Sequence, residues 1–351
     1  MKKLMFVCLA MMLVITACGN NNSKSSGSSA SPASSASSSS NTGSSGAKKT
    51  IALAHSVSDS DTSHYHQFAK KFKEIVENQS GGNITIEIHP NGSLGGEREL
   101  TEGVQFGTID AAIVSTGPLG NFTDLTQIMD FPFLFDSNKQ AQAVLDGEIG
   151  NEISGKLAEQ GIKVIAWLEG GFSNTTNNKH PITKPDDFKG LKIRAQENAI
   201  HMDTFASFGA EPTPMALTEV FTALQQGVVD AQANVLPVIV PSKFYEVQKF
   251  YTQTELYYIA APVMFNQKVF DGLSKEEQDM LMAAAAEARD YEREYVAGMN
   301  EQFLATMKDA GVTITTKDEI DLDAFKEKVQ GVYAKYESKF GKYFDMIEAM
   351  K

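Results

Sequence analysis

Strand-length apolar runs alternate with helix-period segments from residue 50 onwards, and this alternation restricts the chain to an α/β architecture. Residues 50–54 read as a strand, and 63–79 as a helix with Tyr65, Phe68, Phe72, Ile75 and Val76 along one stripe. Ile84-Thr85-Ile86-Glu87-Ile88 alternates at period two and stops at the turn Pro90-Asn91-Gly92. A helix over 97–106 and a strand over 111–115 complete a β-α-β-α-β opening, which predicts a parallel, doubly wound sheet. After a strand at 163–168 a second α/β unit follows: a strand over 191–194, a helix over 200–208 ended by Gly209, and a helix over 220–226 ended by Gly227. The pattern shows no internal sequence repeat.

Two helices are expected to close the chain. Ser274-Lys275-Glu276-Glu277 has the spacing of a capping box, and an Ala, Glu and Met-rich segment runs behind it to Val296 and, past Gly298, on to Lys308. More than 30 helical residues would span about 45 Å at 1.5 Å each, longer than one small domain, so this helix should bridge two lobes. A last helix is expected over 322–340, capped near Asp321. The resulting organisation is a signal at 1–17, a disordered tether at 18–48, lobe I from 49–171 with 260–299, and lobe II from 172–259 with 300–351.

The amino-terminal assignments rest on composition. Met1-Lys2-Lys3 precedes an apolar run of about a dozen residues, too short for the roughly 20 that cross a bilayer, and the run ends in small residues. Ile15-Thr16-Ala17-Cys18 resembles the bacterial lipobox, which implies lipidation of Cys18 and anchoring on the outer face of the cell membrane. The Ser-rich stretch behind it cannot bury enough apolar surface to offset the entropy of ordering. Cys8 and Cys18 are the only cysteines, so the core is expected to do without disulfides. The net charge of −13 becomes −15 once Lys2 and Lys3 leave with the signal, which opposes nucleic-acid binding. Against that field an anionic ligand would need a specific buried Arg or Lys.

Catalytic chemistry finds little support. Gly150-Asn151-Glu152-Ile153-Ser154-Gly155-Lys156 approaches a P-loop, but Leu157 stands where the Mg²⁺-binding hydroxyl belongs and the run has helical periodicity. His64 and His66, two apart on a helix, point to different faces and read as solvated histidines, not a zinc pair. There is no G-x-S-x-G elbow and no metal-ligand cluster, so neither enzyme activity nor a cofactor is expected.

Gly190-Leu191-Lys192-Ile193-Arg194, then Gly209-Ala210-Glu211-Pro212-Thr213-Pro214-Met215-Ala216, then the long run from Glu219 through Gly227-Val228-Val229-Asp230-Ala231-Gln232-Ala233-Asn234 resemble the DctP family. These are the solute-binding subunits of TRAP transporters. Pro90-Asn91-Gly92-Ser93-Leu94-Gly95-Gly96-Glu97, Phe131-Pro132-Phe133-Leu134-Phe135 and Tyr245-Glu246-Val247-Gln248-Lys249 agree more weakly, and the likeness covers about residues 50 to 345. The resemblance implies a two-lobed periplasmic-binding-protein-like α/β fold with a long helix spanning both lobes. It also implies capture of a small carboxylate, a sugar acid ahead of a C4-dicarboxylate, for ion-gradient-driven uptake by two membrane permease subunits. A monomer is expected; the alternative role is a ligand-binding partner of a sensor kinase.

In that family the arginine matching Arg194 pairs with the ligand carboxylate, through a planar fork suited to two oxygens. The competing reading is a strand-end arginine paired with a domestic acid. Asn234 matches an asparagine on the same carboxylate, or serves a turn before Pro237. Glu97 either accepts from ligand hydroxyls or complements a helix N-terminus. His55, Ser115 and Thr116 end strands at the edge where open α/β sheets place ligands, and Trp167 either lines the cleft or packs inside. Many members carry Arg where this chain has Ser173, and an aromatic where it has Leu217, which departs from a second cationic contact and from ring stacking. Lys179 and His180 are expected to face water.

Overall fold

The structure is a computed structural model that describes residues 48–350; Cys18, the expected signal and the tether up to residue 47 lie outside the described residues. The first unit runs β1 (Lys49–His55), α1 (His64–Gln79), β2 (Ile84–His89), α2 (Glu97–Phe106) and β3 (Ala111–Ile113). The predicted stripe of α1 is buried, so its helical period and its tertiary packing agree. Then come α3 (Thr116–Leu119), α4 (Asn138–Leu145), α5 (Glu148–Ala158) and the long β4 (Ile162–Phe172). The P-loop look-alike lies inside α5, where the Ser154 hydroxyl donates back to the Gly150 carbonyl at 2.7 Å, as its periodicity predicts.

The second unit comprises β5 (Asn174–Asn177), β6 (Lys192–Ala195), α6 (Ala199–Ser207), β7 (Glu211–Pro214), α7 (Leu217–Gln225), β8 (Ala231–Asn234), α8 (Leu236–Ile239) and β9 (Phe250–Thr252). The chain returns through β10 (Tyr258–Asn266) and α9 (Gln267–Asp271) to α10 (Lys275–Asp309), β11 (Thr313–Thr315), α11 (Leu322–Lys328) and α12 (Gln330–Glu348). Two sheets result, ordered β2-β1-β3-β10-β4 and β11-β9-β5-β8-β6-β7, each the floor of one lobe. The first is mixed and not wholly parallel as expected, because β10 returns from the other sheet and runs antiparallel to both β3 and β4. The backbone passes between the sheets at Ser173, at residues 253–257 and along α10.

The two units repeat one topology. The orders β2-β1-β3 and β7-β6-β8 are the same, and all four pairings are parallel. Helix α2 ends at Gly107 and α7 is followed by Gly227, with φ of +80° and +70°, the left-handed region that glycine enters without steric cost. Three residues on, Asp110 accepts from the Ala52 N–H at 2.9 Å and Asp230 from the Lys192 N–H at 3.2 Å, so each aspartate ties its unit's third strand to the first. Leu53 pairs with Ala111 and Ile193 with Ala231, so Arg194 occupies the position of Ala54; as first residue of its helix, Leu217 occupies that of Glu97. The repeat is one of topology and not of sequence: outside the Gly-x-apolar-Asp-Ala corner the equivalent side chains have diverged.

The 35 residues of α10 span about 52 Å at 1.5 Å each. Ser274 and Glu277 form the predicted capping box, and the helix packs on α1 and β4 of the first unit and on α8 and β11 of the second. Arg293 grips Asp146 with two bonds, at 2.6 and 3.1 Å. Beside it Glu292 is fully buried and accepts from the Glu169 N–H at 3.3 Å; burial raises its carboxyl well above the ordinary range, which favours the neutral form in place of a naked interior charge.

The expected last helix is two helices, capped by Asp321 as predicted and broken at Val329. Residues 330–348, assigned above to lobe II, pack on the core of the first lobe, because Val332, Phe340, Tyr343 and Ile347 complete an apolar layer over Phe131 and Ile128. Phe131 meets the rings of Tyr333, Phe340 and Phe344 at 5.2, 5.4 and 4.7 Å between centroids. Truncation to Phe131→Ala is expected to lower unfolding free energy by about 3–5 kcal/mol in denaturant titration, and a loss under about 1 kcal/mol would mean the helix is anchored elsewhere.

Candidate functional site

Strand β6 delivers Arg194 to the carboxyl end of the second sheet, where the side chain is only 3 % exposed. Its Nε donates to the Met215 carbonyl at 2.9 Å, Nη1 has no partner, and among the described residues no carboxylate lies within ion-pair distance. The reading of Arg194 as a locally paired arginine therefore fails. Burial lowers its pKa to about 10, partly offset by the fields of Glu97, Glu197 and Glu219, so it is a cation at neutral pH. A desolvated guanidinium with an unmet donor is costly unless an anion completes it.

Glu97 approaches from the first lobe as the opening residue of α2. Its carboxylate accepts from the Ser115 N–H at 3.0 Å, the Ser115 hydroxyl at 2.6 Å and the Ser56 hydroxyl at 3.3 Å, besides sitting at the positive end of the helix. Ser115 also accepts from the Gln196 amide at 3.1 Å, a bond that crosses between the lobes. His55 ends β1 fully buried, its Nδ1 donating to the Val57 carbonyl at 3.1 Å, which leaves Nε2 to accept from His66 Nδ1 at 3.2 Å. Burial, then the charge of His66, pulls His55 down to about 3, so it is a neutral imidazole. The expectation that His64 and His66 are solvated is corrected: His64 is fully buried on the core side of α1, and His66 is half-buried against His55.

Thr116 donates to Asp130 at 2.9 Å, and the same carboxylate accepts at 2.7 Å from Asn198 in the second lobe. Asn234 ends β8 opposite Asn174 and accepts from the Val235 N–H at 3.0 Å, turning the chain into α8. Ser173 occupies the crossover itself, where its N–H donates to the Tyr257 carbonyl at 2.7 Å and its carbonyl accepts from Leu256 at 2.9 Å. Leu217 starts α7 on the rim of a shallow cleft shared with Ser56, Asn91 and Phe221. On that rim Gly92, φ +63°, carries no Cβ where one would stand 2.5 Å from Thr218 Cγ2, so only glycine lets the lobes approach this closely. Trp167 is placed apart from this cluster: its indole donates to Ser154 of α5 at 3.3 Å, within the first lobe's core. Lys179 pairs with Asp230 at 2.9 Å and remains half exposed.

Hydrogen bonds thus join Glu97, Ser115 and Gln196 into one network, with the cation of Arg194 near enough to feel Glu97. Gln196, Asn198, Asp130 and His201 were not anticipated. Two of them follow Arg194 by two and four residues, and Asp130 directly precedes the apolar Phe131-Pro132-Phe133-Leu134-Phe135, a place where an acid is drawn inside.

A family model described as bacterial extracellular solute-binding protein, family 7, matches residues 53–339. The chain is similar to the 2,3-diketo-L-gulonate-binding periplasmic protein YiaO of Escherichia coli K12, with 34 % identity over 284 residues, covering 81 % of this chain and 85 % of that protein. Among solved structures it resembles a TRAP periplasmic solute binding protein from Polaromonas sp. JS666 bound to D-erythronate, with TM-score 0.82, 38 % identity and coverage of 86 % and 98 %. It also resembles the sugar acid binding protein DctPAm from Advenella mimigardefordensis in complex with galactonate, with TM-score 0.83, 32 % identity and coverage of 87 % and 99 %.

The site's electrostatics predict three silent histidines. His55, His64 and His201 are each pulled down to about 3 by burial, so their imidazole ¹⁵N shifts should stay those of neutral rings from pH 8 to pH 5. A midpoint near 6.5 for any of them would show that its pocket admits water.

Proposed function

The chain belongs to family 7 of the bacterial extracellular solute-binding proteins, the DctP family, and from that premise we propose that it holds one sugar acid with the ligand carboxylate on Arg194. As a member of this family it is an extracytoplasmic solute-binding protein that works with TRAP membrane subunits. The observation that carries the ligand assignment is the buried guanidinium whose Nη1 has no partner. Two α/β lobes closing on the solute would exclude water and strengthen the charge-assisted pair, and the closed form would then dock on the permease and release its cargo.

Around the Arg194 cation the groups are neutral or accepting. His55 is a neutral ring, Glu97 accepts, and Ser56, Ser115, Gln196 and Asn234 read hydroxyls; Leu217 supplies an aliphatic wall. Ser173, 1 % exposed, provides no second cation, so a C4-dicarboxylate would leave one carboxylate without its own positive partner, while a polyhydroxy monocarboxylate would not. This favours an aldonate or uronate. Cys18 is the proposed lipidation site, with the Ser-rich segment as tether on the outer face of the membrane, and the working unit is a monomer.

In calorimetry with D-erythronate and galactonate, Arg194→Ala should weaken binding by at least about 100-fold, and Arg194→Lys, which keeps charge but not the fork, by an intermediate factor. Affinity undiminished by Arg194→Ala would remove the arginine from its assigned role. At equal concentration succinate should raise the melting temperature less than either sugar acid.

A further inference from the structure

The loop between β6 and α6, residues 196–198, meets the first lobe through all three of its residues. Gln196 donates to the Ser115 hydroxyl at 3.1 Å, Glu197 offers its carbonyl to the Asn121 amide at 3.1 Å, and Asn198 Nδ2 donates to the Gly117 carbonyl at 2.9 Å and to Asp130 at 2.7 Å. Asn198 is 5 % exposed and also caps α6, its Oδ1 accepting from the His201 N–H at 3.0 Å. Asp130 is wholly buried between Thr116 of its own lobe and two side chains of the other, Asn198 and His201, whose Nε2 lies 3.8 Å from Oδ1 with no other partner. Behind His201 the ring of Tyr257, from the second crossover, stacks at 4.0 Å.

We propose that Asn198, Asp130 and His201 form a latch across the cleft, separate from the ligand contacts, that sets how long a bound acid is retained, and that a proton on Asp130 favours the latched state. The proposal rests on the reading that an acid at Arg194 closes the lobes. Separating the lobes removes Asn198 and His201 from Asp130 and admits water, so latching desolvates a carboxyl. Burial outweighs the bonds from Thr116 and Asn198 and pushes Asp130 up to about 7 when latched. Once hydrated its pKa returns to about 3.9. A group whose pKa is raised in the closed state takes up a proton on closing, so closure gains as pH falls below about 7 and gains nothing above it.

The titratable groups facing Asp130 leave it the one that changes in this range. His201 on α6 is held to about 3 by burial and by the charge of Arg194 on β6, and burial raises the Tyr257 hydroxyl well beyond its ordinary value. Protonated, Asp130 faces the neutral His201 ring as one uncharged group against another, with no buried carboxylate left to solvate.

Stopped-flow dissociation of galactonate or D-erythronate tests the latch. Asn198→Ser keeps an oxygen to cap α6 but has no donor long enough to cross, so release should be about 10- to 100-fold faster with association unchanged. Wild-type affinity should rise about tenfold from pH 8 to pH 6, while the sugar acid stays ionised, and Asp130→Asn, which still accepts from Asn198, should flatten that dependence. Release from Asn198→Ser at the wild-type rate while Arg194→Ala abolishes binding would overturn the latch and leave the carboxylate site standing. Fast release from Asn198→Ser with full affinity in Arg194→Ala would do the reverse. A pH dependence that survives in Asp130→Asn would overturn the role of the proton.

Discussion

The site is organised by one buried cation, Arg194, that meets no acid within ion-pair distance among the described residues. Arg194 is desolvated, holds a single bond to a backbone carbonyl, and sits in a protein whose net charge is −13. The mean field repels anions, so attraction has to be local, and a water-poor cleft makes it so by lowering the dielectric around the pair. Glu97, Glu197 and Glu219 hold the guanidinium charged from a distance without occupying it. Their arrangement keeps the cation available and limits the cost of its burial.

The repeated β-α-β-α-β unit explains how such a site arises at a crevice. Both lobes present the same corners at their carboxyl edges, and each corner is a place where side chains project beyond a sheet. In one unit the strand-end position is Ala54 and the helix-start position is Glu97; in the other they are Arg194 and Leu217. The lobes therefore contribute complementary charge from non-equivalent positions of one scaffold. Identical corners would have faced acid to acid and cation to cation.

Much of the fold was legible because periodicity and punctuation are local. The stripe of α1, the glycine stops at Gly107 and Gly227 and the capping box at Ser274 each depend on residues within a few positions of one another. The departures share a non-local cause. β10 reverses the sheet because the chain arrives from the far lobe, and α12 crosses to the first lobe because Phe131 offers it rings to pack on. At the site, Arg194 and Glu97 could be named from a family likeness, whereas Asp130, Asn198 and His201 could not, since a buried aspartate and a capping asparagine look like ordinary surface residues until the other lobe covers them.

Recognition and closure meet in one short loop. Arg194 is the penultimate residue of β6, and three of the next four residues contact the opposite lobe before α6 begins. A ligand can shift an open–closed equilibrium only by its differential affinity for the two states. An acid that draws the guanidinium into place positions Gln196 and Asn198 as well, because the four peptide units between leave little slack. The bonds these residues make to the opposite lobe are gained only on closing, so they add to the ligand's preference for the closed form. Glu292 and Arg293 meanwhile fix α10 to the first lobe through Glu169 and Asp146.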